Sequence, residues 1–297
     1  MSRSGPPIRR RLRALGMGML MNAVALLFAL PLLFMFASSF KSDTAIFKDL
    51  SSWTALLPAP DWSLANYRAV FDKSELPTFM LNSAIVAALT VAGGILVNSM
   101  LAFALARLRW KGRQAVLTLV LAMLVVPFEV IAIPLLSVVA RLPWAAYAHG
   151  ALVVRHGWFN SLQVQIVPFL ANAFCVFLFY QFFRDIPSEL DEAAKMDGAG
   201  PWTIYWRIIM PNSGPVIATA AIVLFLGAWN QYLWPAMVIQ GAALRPVQPG
   251  IQQFFGRSNS WGQIMAYASI ITLPVLAVFL ACQRRFVASV MGSGIKG

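Results

Sequence analysis

Six stretches of this chain run for about twenty residues or more with almost no charge: residues 15–39, 80–106, 115–140, 162–183, 213–239 and 263–283. A hydrocarbon core of about 30 Å takes roughly 20 mostly apolar residues to cross. Each stretch is therefore long enough to span a membrane. Lipid offers no hydrogen bonds, so backbone groups inside it must pair within the segment, and the spans are predicted to be helices. A transmembrane barrel would show segments of about 10 alternating residues, a pattern absent here. Composition agrees. Apolar residues make up 59% of the 297 and charged residues 11%, against about 45–50% and about 25% in soluble domains. That is too little charge to clothe a water-exposed surface of this size.

The first stretch follows Arg9, Arg10, Arg11 and Arg13, as a signal peptide would. Its apolar run is longer than a signal peptide's, and no small-x-small site leads into a soluble domain. It reads as the first span. Six spans put both termini on one side. That side carries fifteen Lys and Arg, among them Arg3, Arg107, Arg109, Lys111, Arg113, Arg184, Lys195, Arg207, Arg284, Arg285 and Lys296. The other carries eight: Lys41, Lys48, Arg68, Lys73, Arg141, Arg155, Arg245 and Arg257. Basic residues accumulate in cytoplasmic loops, so both termini are expected in the cytoplasm. The net charge of +12 then reports topology, and nucleic acid is not an expected partner.

No boundary or repeat divides the chain, and residues 1–297 read as one transmembrane domain. Residues 40–79 form a long outer segment. It includes Pro58, Pro60 and an amphipathic run from Leu64 to Phe71, with Trp53, Trp62 and Tyr67 placed for the headgroup level. Pro127 and Pro134 should bend or break the third span, either as plain kinks or as a moving, pathway-lining segment. Cys175 and Cys282 fall in spans as small apolar residues. His149 and His156 lie in an outer loop without acidic or thiol companions, so no metal site is expected.

The most specific stretch is the loop 187–211, PSELDEAAKMDGAGPWTIYWRIIMP. Ser188 with Asp191 reads as a helix-start box. Glu189 to Met196 forms one short helix, and Gly198 and Gly200 close it. Pro201 suits the first position of a second helix, in which Trp202, Tyr205, Trp206 and Ile209 share a face. Pro211 should stop that helix before the fifth span. Ala193 and Ala194 present almost no side chain, and Glu192 can meet a base or a backbone donor. Physics alone allows two readings, a knob that enters a partner's cleft or a surface helix with no partner.

Glu192-Ala193-Ala194, Asp197-Gly198-Ala199 and Ile208-Ile209-Met210-Pro211 resemble the EAA loop of ATP-binding cassette (ABC) importer permeases, with Met210 where that family often has Leu. FLFYQFFRDIPSELDEAA, FLGAWNQYLWPAM and the ending QRRFVASVMGSGIKG are similar to the carbohydrate-uptake branch, in particular to the second permease of maltose-type and glycerol-3-phosphate-type systems. The likeness runs from about residue 20 to the C-terminus, with 142–159 longer than usual. It implies an all-α, six-span permease in the bacterial plasma (inner) membrane. A second homologous permease, two ATPase subunits and an external solute-binding protein would complete the importer. ATP and Mg would sit on the ATPase, with no cofactor on this chain. Glu192, Ala193, Ala194, Asp197, Gly198 and Pro211 would belong to the loop that couples to the ATPase. No G-x-x-x-x-G-K-[ST] phosphate loop is present, and no nucleophile–base–acid set suggests an enzyme.

Substrate contacts are less defined. Glu129 is the only acid deep in a span, where an ionisable group costs at least ~2.5 kcal/mol unless paired or wet. It either makes a structural hydrogen bond or lines a pathway. Trp229, Asn230 and Tyr232 could offer an aromatic face and an amide to a sugar, whereas Trp234 suits the interfacial belt. Glu129 and Trp229 each lie about 15 residues from the inner end of their spans, past mid-depth at ~1.5 Å per residue. No Lys or Arg lies within a span, which leans toward a neutral sugar over a glycerol phosphate. The competing class is an ion-coupled secondary transporter, which would need charges in several spans.

Overall fold

The computed structural model describes residues 8–57, 62–148, 151–255 and 260–293. Arg3, Pro58, Pro60, His149, Arg257 and Lys296 lie outside them. In chain order the elements are α1 (Ile8–Ser38), α2 (Asp43–Asp49), α3 (Ala65–Lys73), α4 (Leu76–Arg107), α5 (Arg113–Met123) and α6 (Phe128–Val139). A hairpin follows, β1 (Pro143–Ala148) and β2 (Ala151–His156). Then come α7 (Leu162–Ile166), α8 (Ala173–Asp185), α9 (Glu189–Met196), α10 (Pro201–Ile204), α11 (Gly214–Trp229), α12 (Leu233–Val238), α13 (Val247–Gly250) and α14 (Trp261–Ser293).

Among the described residues, four helical stretches are long and apolar enough to cross a membrane: Leu15–Ser38, Leu76–Arg107, Pro211–Trp229 and Trp261–Cys282. Two further pairs pass together but are bent. Arg113–Met123 meets Phe128–Val139 at 109°, and Leu162–Phe169 meets Ala173–Asp185 at 42°. The third and fourth stretches of the sequence reading are thus broken helices. Pro127, the N-cap of α6, marks the sharper break. Pro134 lies inside α6 without ending it, as do Pro31 in α1 and Pro274 in α14. The fifth stretch also ends early: α11 stops at Trp229, and α12 resumes at Leu233.

The chain packs as two compact units, Met1–Ser74 with Ile251–Thr272, and Glu75–Gly250 with Leu273–Gly297. The first is held by polar ties. Lys41 is buried, and its Nζ donates to Asp49 Oδ2 at 3.0 Å and to the Thr54 carbonyl at 2.7 Å. Asn66 Nδ2 donates to the carbonyls of Ser39 and Lys41. The Gly262 amide at the start of α14 donates to Asp43 Oδ1 at 2.8 Å. A Cβ on Gly262 would lie 2.7 Å from the Lys41 carbonyl oxygen, so the close approach there requires glycine. Trp53 and Trp62 are exposed, while the Tyr67 hydroxyl bonds Ser39 Oγ at 2.8 Å.

The second unit is built on α4, which packs chiefly against α8 and α11. Its core holds Phe103, Leu105, Phe179, Phe183, Ala220 and Leu224. Close packing relies on small residues: a Cβ on Gly94 would meet Leu224 Cδ1 at 2.8 Å. The break in the fourth span frees backbone groups that lipid cannot satisfy, and Asn98 of α4 pairs with two of them. Its Nδ2 donates to the Leu170 carbonyl at 2.9 Å, and its Oδ1 accepts from the Asn172 amide at 2.7 Å. Asn172 Oδ1 in turn caps α8 through the Cys175 amide.

A smaller cluster joins Val139, Val164, Trp234 and Val238. Trp234 corrects the sequence reading. It is fully buried, donates from Nε1 to the Val164 carbonyl at 2.7 Å, and meets Phe128 and Phe169 edge-on. A tryptophan with its N–H satisfied inside protein is a packing anchor, so the headgroup belt is not its place. The long 142–159 segment is the β1–β2 hairpin, antiparallel with Pro143 opposite His156 and Ala148 opposite Ala151.

Candidate functional site

The loop 187–211 folds as a short helix, a tight turn and a second helical segment. Ser188 stands at the N-cap of α9, but its hydroxyl makes no capping bond. Its backbone is already helical (φ −70°, ψ −21°), which aims the side chain away from the free amides. The expected capping box is absent. Glu189, Asp191 and Glu192 supply negative charge to the first turn instead, where the helix dipole favours it.

The other end matches the sequence reading closely. The Gly198 amide donates to the Lys195 carbonyl at 3.0 Å, and the Ala199 amide donates to Ala194 at 2.9 Å. This pair of bonds is the Schellman closure, and Gly198 adopts the left-handed φ of +80° that it requires. Ala194 and Ala199 both pack against the core of the second unit. Gly200 has an ordinary φ of −77° and serves as N-cap of α10, with Pro201 in the first turn.

The two alanines part company. Ala194 is half-buried against this chain's own core, while Ala193 is exposed. Neighbouring helix positions point about 100° apart, so one packs inward as the other faces out. The outward face of α9 also carries Leu190, 44% exposed, and Met196, 88% exposed. Glu192 and Asp197 are exposed too.

Beyond the turn, Ile204, Tyr205 and Ile209 point inward, whereas Trp202 and Trp206 are 61% and 52% exposed. The predicted four-residue face is therefore split. The segment Tyr205–Ile209 forms a π-turn, in which the Met210 amide donates to Tyr205, five residues back. Tyr205 OH bonds Ser99 Oγ of α4 at 2.8 Å. Burial pushes its phenol above the ordinary value, and the Ser99 bond partly opposes this. Pro211 does not stop the chain's helical course. It opens a 3₁₀ turn that runs into α11, with the Ser213 hydroxyl and Asn212 amide taking the Ile209 and Ile208 carbonyls.

One pair went unread in the sequence. Arg107, counted there only as a topology charge, reaches from the last turn of α4 to Asp191. Its Nη1 lies 3.7 Å from Asp191 Oδ2, and its Nη2 donates to the Ile186 carbonyl at 2.6 Å. The basic run 107–113 followed much later by an acid in a short helix was the only available signal.

The pathway candidates lie on two stretches of the chain, α6 and the α11–α12 region. Glu129 sits exposed in the first turn of α6, just past the 109° break, where a helix N-terminus favours an acid. Trp229 is buried and stacked on Phe225 at 5.5 Å. Asn230 and Tyr232 lie exposed between α11 and α12, and Asn230 Oδ1 accepts from Gln248 Nε2 at 3.2 Å.

Residues 94–292 match the family model described as binding-protein-dependent transport system inner membrane component. The chain is 28% identical over its whole length to the full arabinooligosaccharides transport system permease protein AraQ of Halalkalibacterium halodurans. It is 30% identical to the sn-glycerol-3-phosphate transport system permease protein UgpE of Yersinia enterocolitica, covering 90% of this chain and 92% of that one. Its fold is similar to a chain of a bacterial ABC transporter involved in importing the acidic polysaccharide alginate, with TM-score 0.76, 20% identity, and 96% and 100% of the two chains covered.

Proposed function

The chain belongs to the family of binding-protein-dependent transport system inner membrane components, and on that footing we propose that it forms half of the translocation pathway of a carbohydrate or glycerol phosphate importer. A second, homologous permease supplies the other half. An external solute-binding protein delivers the substrate, and two ATPase subunits carry the ATP and Mg. This chain holds no cofactor and performs no hydrolysis. It crosses the membrane six times with both termini in the cytoplasm. The four long helices and two bent pairs supply enough spans, and the Lys and Arg distribution favours that orientation.

The observation that carries the coupling role is α9. An eight-residue helix, closed by a left-handed glycine, displays an exposed strip of Leu190, Ala193 and Met196 away from its own core. A small residue between two apolar ones suits insertion into a cleft. Glu192 and Asp197 border that strip.

Asn230 and Tyr232 are the exposed polar groups of the fifth span best suited to a sugar, backed by the buried Trp229, and Glu129 contributes from the broken third span. The absence of Lys and Arg within spans favours a neutral sugar. The test is uptake by the reconstituted complex. Arabino-oligosaccharides should be carried in an ATP-dependent way that requires the binding protein, and sn-glycerol-3-phosphate more weakly. Uptake driven by an ion gradient without ATP would overturn the reading.

A further inference from the structure

One side chain ties three elements of the second unit together. Arg107 ends α4, holds the carbonyl of Ile186, the C-cap of α8, and faces Asp191 in the first turn of α9. The two charged side chains are only 8% and 9% exposed. Stability alone is a poor reason to keep such a pair, because apolar residues of similar size often replace a buried ion pair at no cost. An apolar contact, however, has no direction. A guanidinium is a rigid planar fork whose donors fix the angle of what they hold.

The junction is also incompletely closed. At 3.7 Å the contact is longer than the ~2.7–2.9 Å of a charge-assisted hydrogen bond. Arg107 Nε and Asp191 Oδ1 are both buried without a hydrogen-bond partner, whereas roughly 90% of buried polar groups have one. A donor and an acceptor on the same two side chains therefore remain unused, and a small shift of α9 would engage them. Further along α4, Asn98 grips the break before α8 through Leu170 and Asn172. Displacement of α9 thus has a polar connection to α4 and α8 at one end, and α4 has a second to the break at the other.

We propose that Arg107 is the positioning residue that passes movement of α9 to the transmembrane helices α4 and α8, its pair with Asp191 closing fully when α9 is seated on the ATPase. This rests on the reading of α9 as the ATPase-docking helix. The test uses the full reconstituted importer with its solute-binding protein, with arabino-oligosaccharides and sn-glycerol-3-phosphate as probes. Three quantities are read: ATPase co-purification, unstimulated hydrolysis, and the ratio of substrate-stimulated to unstimulated hydrolysis. Arg107→Gln should keep the first two and lower the ratio by about tenfold, within the ~5–150-fold range of couplings between sites. Arg107→Lys, which keeps charge but loses the fork, should fall between. Adding Asp191→Asn to Arg107→Gln should cause no further loss, because both act through one contact.

An unchanged ratio in Arg107→Gln would overturn the proposal, and so would losses that add in the double variant. Loss of the ATPase from both Arg107→Gln and Arg107→Lys would reduce Arg107 to a structural role and overturn it equally. If the unmutated complex itself neither retains the ATPase nor responds to either probe, the docking reading has failed and this inference with it.

Discussion

Replacing Gly198 with alanine isolates the conformational demand of the turn after α9. A Cβ at Gly198 would meet no atom within 4 Å, so no steric clash contributes. The whole cost comes from the backbone, held at φ +80°. A non-glycine residue there costs about 1–2 kcal/mol, and a β-branched one more. Gly200 is an internal control. It too has open space around its Cβ position, but its φ is −77°. Gly200→Ala should be neutral, or stabilising by about 0.4–1 kcal/mol through the unfolded chain. If the turn must form before the ATPase docks, a penalty of about 1–2 kcal/mol lowers the ratio of formed to unformed turn by roughly 5–30-fold, and the competent fraction by up to that factor. Apparent affinity falls with the competent fraction, up to about 5–30-fold. The assay is titration of purified ATPase onto the detergent-solubilised permease pair. Gly198→Ala should weaken binding by up to that factor, Gly198→Val by more, and Gly200→Ala not at all. Equal affinities for Gly198→Ala and Gly200→Ala would refute the argument that the left-handed turn presents α9.

Other perturbations read other parts of the account. Asn98→Ala leaves the Asn172 amide and the Leu170 carbonyl without their partner; thermal unfolding in detergent should show a loss of about 1–3 kcal/mol. Gly94→Ala forces a Cβ against Leu224, and adding Leu224→Ala should recover part of the loss in the same assay, a non-additivity expected of residues in contact. Asn230→Ala, at an exposed position, should lower transport while ATPase assembly survives; Trp229→Ala is a poorer probe because emptying a buried tryptophan site costs about 3–5 kcal/mol. Cysteines introduced at positions 5 and 295 should be labelled from the cytoplasmic side, and outside-only labelling would sink the six-span proposal.

The sequence was most legible where local chemistry decides the structure. Gly198 demanded a left-handed turn and Pro201 a helix start, and both stand where their chemistry places them. The long apolar stretches marked helices because lipid leaves the backbone no alternative. Legibility failed where distant residues decide. Hydropathy is blind to the break before α8, since the groups that satisfy it come from Asn98, more than seventy residues away. Trp234 has the composition of an interfacial residue, yet Val164 and two phenylalanines bury it. Trp202 and Trp206 share a helical face with Tyr205 and Ile209 by spacing, yet the first two are exposed and the last two buried. The Arg107–Asp191 pair joins residues that local patterns assign to separate tasks, a topology charge and a helix-start acid.

The central claim is that α9 meets the ATPase, and a photo-crosslinking residue in place of Ala193 tests it most directly. Ala193 is exposed on the permease, so the probe leaves the chain's own core undisturbed. The comparison is the same probe in place of Trp53, exposed in the segment proposed to face outward. In the assembled complex, position 193 should give a crosslink to the ATPase subunit and position 53 none. An intact complex in which position 193 yields no ATPase crosslink would contradict the account.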